Sequence, residues 1–231
     1  MEKHKKYKSK FKKVIHWPID NKANSIVGQE IQQVNFTSII PKDALLILPK
    51  NSGLAEYRSK LEELPNQKMV VRGEDVPFFV ESLSKKGVKC FGVTGEDLFK
   101  EYKFKEPFGS VTKINTVPWV DEAALFGKPA LCLLGPQGKS LNNLDTFGAK
   151  PIIAISSKYK SIANNYLGKL EQKGFSFEKI YLTGAIETAA KLGIVDLAID
   201  IVSSGRSAKE AGLRVYDRIM ESNIVIVGVR E

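Results

Sequence analysis

Short, continuous apolar runs recur along this chain, separated by stretches of helical composition. The runs are Ala44-Leu45-Leu46-Ile47-Leu48, Met69-Val70-Val71, Cys90-Phe91-Gly92-Val93, Ala130-Leu131-Cys132-Leu133-Leu134, Pro151-Ile152-Ile153-Ala154-Ile155, Ile180-Tyr181-Leu182, Leu197-Ala198-Ile199 and Ile224-Val225-Ile226-Val227. Apolar runs without polar alternation are the signature of strands covered on both faces. Residues 54–64, 78–85, 98–102, 161–173 and the segment around Glu187 read as helices. Strand and helix in turn predict an α/β fold with mostly parallel sheets and crossover helices. The alternation lapses at 103–122, which is richer in Pro, Gly and charge and reads as a connection. Two lobes follow, 44–130 and 131–222, with 223–231 returning to the first, and a ligand cleft is expected between them. Residues 1–43 stand apart as a basic and polar extension with a weak strand at 34–40.

One stretch carries more chemistry than the rest. Leu197-Ala198-Ile199-Asp200-Ile201-Val202 is a strand, Ser203-Ser204-Gly205-Arg206-Ser207 a hydroxyl-rich turn, and Ala208-Lys209-Glu210-Ala211 a helix start. That order aims backbone N–H groups at an anion, most often phosphate. Asp200 would repel phosphate if it pointed at it, so it is read as facing hydroxyls or a metal-bound group beside it, as a sugar phosphate would present. The alternative is that the serines only cap the helix. Other polar residues stand where strands end: Lys50 after the first, Arg72 and Asp75 after the second, and Thr94, Gly95 and Asp97 after the third. Open α/β sheets place ligand groups at such ends. Asp75 also suits the cap of the helix that Pro77 opens. Gly135-Pro136-Gln137-Gly138-Lys139-Ser140 imitates a nucleotide-hydrolase phosphate loop. Only two residues separate its glycines, however, and Leu133 stands where the first should be, so the spacing argues against it.

Charge and composition narrow the picture further. The net charge of +9 owes much to Lys3, Lys5, Lys6, Lys8, Lys10, Lys12 and Lys13. A lysine run of this kind is either a solvated tail or an arm for nucleic-acid phosphates, and the tail is the preferred reading. No apolar stretch approaches the ~20 residues of a membrane span, and no signal core opens the chain, so a cytoplasmic protein is expected. Cys90 and Cys132 lie in apolar runs as small core residues, and His4 and His16 stand alone, without metal-ligand spacing.

Taken together, the segments resemble the catalytic subunit of the ATP phosphoribosyltransferase family. The carriers are Leu48-Pro49-Lys50, Arg72-x-x-Asp75-Val76-Pro77, Gly92-Val93-Thr94-Gly95-x-Asp97, Ser157-Lys158-Tyr159, Gly184-Ala185-Ile186-Glu187, Leu192-Gly193-Ile194-Val195-Asp196 and Asp200-Ile201-Val202-Ser203-Ser204-Gly205. The resemblance implies two lobes of the periplasmic-binding-protein type and Mg2+-dependent transfer of phosphoribose from phosphoribosyl pyrophosphate to N1 of ATP. It would place Ser203, Ser204, Gly205, Arg206 and Ser207 on the 5′-phosphate, with Asp200 and Glu187 on the ribose hydroxyls. Lys50, Arg72 and Lys158 would face the pyrophosphate and triphosphate, and Asp75, Thr94, Gly95 and Asp97 the nucleotide side. Mg2+ would travel on the substrate, with no protein-only site, and no side chain is assigned as acid or base. Two departures stand out: Asn51-Ser52 replaces the family's usual Gly-Arg, and Gly205-Arg206-Ser207 replaces Gly-x-Thr. They motivate an alternative, a divergent relative that binds sugar phosphate or nucleotide without transfer. Because the chain stops after its last strand, the resemblance is to the short form. It implies a homodimer and a histidyl-tRNA-synthetase-like regulatory subunit, through which histidine would act.

Overall fold

Every one of the eight apolar runs becomes a strand, and two amphipathic strands join them. The computed structural model describes residues 36–51, 54–140 and 150–230. The lysine run, His4, His16, Ser52 and the segment 141–145 behind the imitation phosphate loop lie outside the described residues.

The first lobe begins with a short helix, α1 (Phe36–Ile39), followed by β1 (Leu45–Pro49), α2 (Ala55–Glu62), β2 (Lys68–Val71), α3 (Val76–Ser84), β3 (Cys90–Gly95), α4 (Glu96–Lys105) and β4 (Val111–Val117). The second holds β5 (Ala130–Pro136), β6 (Ile152–Ser156), α5 (Lys160–Glu171), β7 (Glu178–Leu182), α6 (Ile186–Lys191), β8 (Leu197–Val202), α7 (Arg206–Glu210) and β9 (Leu213–Glu221). A last strand, β10 (Ile224–Val229), inserts into the first sheet, whose order is β2-β1-β3-β10-β4. The second sheet runs β7-β6-β8-β5-β9.

Both sheets are mixed. β1 pairs parallel with β2 and β3, while β10 pairs antiparallel with β3 and β4. In the second lobe β6 pairs parallel with β7 and β8, and β5 antiparallel with β8 and β9. The parallel half of each sheet is the part that the βαβ alternation predicts; the antiparallel half comes from strands that cross between lobes and need no covering helix of their own.

Three expectations are corrected. The segment 34–40, read as a weak strand in a polar extension, contains α1, whose Phe36 packs with Ile40, Leu46, Leu48 and Leu61 in the first lobe's core. Apolar residues three and four apart in this segment suit one helix face better than a strand. The connection at 103–122 contains the end of α4 and all of β4, an edge strand whose Thr, Lys and Asn residues hide it from a hydropathy reading. Finally, Asp75 occupies the position before α3, but its side chain makes no capping hydrogen bond.

Two strand-to-strand passages cross between the lobes side by side, with Ser222 N–H donating to Pro129 C=O at 2.9 Å. Helix α4 is a third link. Its Tyr102 belongs to the first lobe's core, with Ile47, Val76 and Val80, whereas Leu98 belongs to the second lobe's, with Leu131, Ile155 and Tyr159. The two lobes therefore share one helix as common core. Among the described residues, no helix is long and apolar enough to cross a membrane.

Candidate functional site

At the C-terminal end of β8 the backbone changes direction through Ser203 and Ser204 to Gly205, whose φ of 73° lies in the left-handed region that glycine reaches without strain. α7 starts at the next residue, so strand, turn and helix fall in the predicted order. Ser203 Oγ donates to Asp121 Oδ2 at 3.1 Å, which ties the turn to the passage between lobes. Ser204 Oγ accepts from the backbone N–H of Arg206 at 3.4 Å, and the Arg206 and Ser207 residues are exposed.

Asp200 lies just inside this turn. Burial pushes its carboxyl up to about 6, reinforced by the negative charge of Glu187; the backbone N–H of Ile201, the Ser156 hydroxyl and Lys158 act in the opposite sense. The Ile201 N–H reaches Asp200 Oδ1 at 2.8 Å. A buried carboxylate with an acidic neighbour is poorly solvated and gains from hydroxyl donors or a cation. Glu187 reaches this place from the first turn of α6, and Lys158 from the 3-10 turn Ser157–Tyr159 that follows β6. Three separate strand ends thus bring Lys158, Glu187 and Asp200 together.

Two hollows flank α4 between the lobes. One, of about 360 Å³, is lined by Asn51, Gly95, Asp97, Lys158, Ser203 and Ser222 among others. The second, of about 260 Å³, has Arg72, Glu74, Glu101, Lys105, Lys158 and Thr183 in its wall. Lys158 borders both, and its Nζ lies 3.7 Å from Glu74 Oε1 across the gap.

The first lobe's predicted residues divide into two groups. Arg72 and Lys50 are exposed at strand ends, and Lys50 gives its backbone N–H to Val71 C=O at 2.6 Å. Asp75 is exposed beside them. Thr94, by contrast, is fully buried and donates its hydroxyl to Gly73 C=O at 2.7 Å. Asp97 is buried too, accepting from Tyr159 Oη at 2.6 Å and Ser222 Oγ at 2.5 Å. Gly95 is needed for this arrangement, since a Cβ there would stand 2.2 Å from Asp97 Oδ1. Asn51, at the first departure from the family pattern, holds the Gly73 N–H with its Oδ1 at 3.1 Å and so joins the first two loops.

Sequence reasoning did not single out Glu74, Glu101, Asp121 or Ser222. Only their contacts across the lobes mark them, and no local pattern carries that signal. The imitation phosphate loop proves to be a strand end: a Cβ on Gly135 would lie 2.4 Å from the Tyr216 ring, and Tyr216 Oη donates to Pro136 C=O at 2.8 Å. Among the described residues, no group of three or more His, Cys, Asp or Glu could hold a metal ion.

Comparison with known proteins bears on the family and the fold. A family model described as HisG, ATP phosphoribosyltransferase, matches residues 72–231. The chain is 32% identical to the ATP phosphoribosyltransferase of Sulfurisphaera tokodaii over 214 residues, 92% of this chain and 64% of that protein. It is also 32% identical to that of Caldicellulosiruptor bescii over 162 residues, 70% of this chain and 67% of that protein. With the Sulfolobus acidocaldarius relative, at 28% identity, the match takes in 87% of this chain and 60% of that protein. The chain thus spans less than two thirds of the length of the first and last of these relatives. Among solved structures, the ATP phosphoribosyl transferase (HisG:HisZ) complex from Thermotoga maritima shares the fold at a TM-score of 0.60 and 23% identity, covering 80% of this chain and 87% of that one. The periplasmic aliphatic sulphonate binding protein SsuA from Escherichia coli does so at 0.54 and 18%, covering 83% and 66%.

Proposed function

Because the chain belongs to the ATP phosphoribosyltransferase family, matched over residues 72–231, we propose that it transfers phosphoribose from phosphoribosyl pyrophosphate to N1 of ATP. The products are phosphoribosyl-ATP and pyrophosphate, and the step opens histidine biosynthesis in the cytoplasm. The observation that carries this reading is the grouping of Asp200, Glu187 and Lys158 around the Ser203–Ser207 turn, with Asp200 raised to about 6 by burial.

In the transfer the bond from the anomeric carbon to the pyrophosphate oxygen breaks, and a bond from that carbon to N1 of ATP forms. Positive charge grows on the ribose as pyrophosphate leaves. Two carboxylates, the largely buried Asp200 and the half-buried Glu187, hold the ribose hydroxyls and face that charge, an arrangement that favours the transition state over the neutral sugar. The turn from Ser203 to Ser207 takes the 5′-phosphate through its backbone N–H and hydroxyl groups, with Arg206 adding a guanidinium. Lys158, Arg72 and Lys50 attract the pyrophosphate and triphosphate. Asp75 stands on the nucleotide side of the cleft, and Thr94, Gly95 and Asp97 shape its wall from within. Alignment of the two substrates supplies the rest of the acceleration.

Mg2+ fits this site as an ion brought by the substrate. Asp200 and Glu187 supply hard oxygen donors close enough for the charge of one to raise the other's carboxyl, and magnesium prefers one or two carboxylates with substrate phosphates to an all-protein cage. When bound, it would neutralise charge on the departing pyrophosphate. The family also supports a homodimer and a histidyl-tRNA-synthetase-like regulatory subunit; the Thermotoga maritima neighbour is named as a HisG:HisZ complex.

Calorimetric titration with phosphoribosyl pyrophosphate and Mg2+ tests the reading before turnover is assayed. Wild type is expected to bind, and Asp200→Asn to bind at least tenfold more weakly, which corresponds to about 1.4 kcal/mol. Phosphoribosyl-ATP should then form when ATP and the regulatory subunit are added. Equal binding by wild type and Asp200→Asn, or no binding by either, overturns the assignment.

A further inference from the structure

Helix α4 belongs by connectivity to the first lobe, yet two of its carboxylates spend their hydrogen bonds on the second. Asp97 and Glu101 are four residues apart and so share one helix face, one turn from each other. They are 4% and 3% exposed. Asp97 Oδ2 accepts from Tyr159 Oη at 2.6 Å, and its Oδ1 from Ser222 Oγ at 2.5 Å. Glu101 accepts the backbone N–H groups of Ser161, at 2.8 and 3.0 Å to its two oxygens, and of Ile162 at 2.9 Å. The first N–H groups of a helix lack partners within it. In α5 the residue at the cap position, Tyr159, makes no side-chain cap, and Glu101 from the other lobe takes that role.

The short turn Ser157–Tyr159 leads straight into these anchor points, and Lys158 is the residue next to Tyr159 in it. Its side chain is 43% exposed, borders both hollows and faces Glu74, whose buried Oε2 has no hydrogen-bond partner among the described residues. A long flexible cation in a roomy cleft would ordinarily lose affinity through its own freedom. Here the backbone that carries it is held by β6 on its N-terminal side and by the two anchors on its C-terminal side.

Building on the proposed function, we propose that Asp97 and Glu101 are positioning residues that clamp the Ser157–Tyr159 turn, so that Lys158 stands at the mouth of the cleft for the pyrophosphate of the substrate. Glu74 is the counter-ion that Lys158 holds until an anion replaces it. Glu101 also occupies the N-terminus of α5, taking up the Ser161 and Ile162 N–H groups there.

The test uses the full chain and two readouts. Acetic anhydride labelling followed by peptide mass spectrometry measures the reactivity of Lys158 against the remote, exposed Lys86, with no ligand present. Tyr159→Phe and Glu101→Gln, both folded by circular dichroism, should raise that ratio severalfold as the turn loosens. Titration with inorganic pyrophosphate and Mg2+ then gives a double-mutant cycle. Tyr159→Phe should weaken binding about tenfold when Lys158 is present and less than about twofold in the Lys158→Ala background. An unchanged labelling ratio in both variants overturns the clamp, as does a loss of affinity that is equal in both backgrounds. If wild type binds neither pyrophosphate nor phosphoribosyl pyrophosphate, the proposed function fails, and the labelling ratio alone decides the clamp.

Discussion

Asp200 shows what burying a single carboxylate does to stability. Its carboxyl, at about 6, lies above the ordinary 3.8, chiefly through burial. Between those values the folded protein holds a proton that the unfolded chain has lost, so stability falls as pH rises through the upper one. By pH 7 the penalty amounts to roughly 3 kcal/mol. Asp200→Asn should therefore raise the melting temperature of the ligand-free protein at pH 8, with a gain that shrinks as pH falls toward 4. Melting scans across that range check it; a gain that does not vary with pH would show that the carboxylate is not destabilised. Under the proposed function the same variant should lose sugar-phosphate affinity, the usual cost of relaxing a site. The residue's place at the end of an apolar strand, before a glycine turn, was enough to select it from sequence. Its neighbour Lys158 was selected only through family resemblance, because a surface lysine carries little signal alone.

Strands were legible where their own residues form an apolar run, including the edge strands β2 and β7. β1, β3, β5 and β10 have nearly unbroken buried faces and were evident as apolar runs, whereas β4 and β9 are sheet edges with mixed residues and were not. Hydropathy reports residue type rather than pairing, so an edge strand of mixed polar and apolar residues reads as a connection. Packing between elements is equally silent in sequence. Gly92 of β3 lets α3 approach so closely that a Cβ would sit 2.4 Å from Val76 Cγ1 and 2.8 Å from Val80 Cγ2. Gly92→Ala should cost about 1–3 kcal/mol in urea unfolding, through overpacking. A neutral effect would mean that α3 can shift outward freely.

At the scale of the molecule, shared core makes the two lobes one folding unit. Leu98 leaves α4 to pack in the second lobe's core, and Tyr102 on the same helix packs in the first. Leu98→Ala should cost about 2–5 kcal/mol, the range for a buried leucine that leaves a cavity. Because the helix serves both cores, unfolding should remain one transition, with calorimetric and van't Hoff enthalpies in agreement. Two separated transitions in the wild type would show that the lobes melt independently and that α4 couples them weakly.

The linear order of apolar runs and turn residues determined the α/β class, the division into two lobes and the strand-turn-helix that carries Asp200 and Ser203, since each depends on burial and backbone preference within a few residues. It also carried the motifs by which the family is recognised. Tertiary structure alone decided that Thr94 and Asp97 turn inward to Gly73, Tyr159 and Ser222, and that Glu101 caps a helix sixty residues away. The physical reason is that a polar side chain at a strand or helix end can satisfy its hydrogen bonds with ligand, solvent or a distant backbone. Which of these it meets is set by how the lobes pack, and that information is spread over the whole chain.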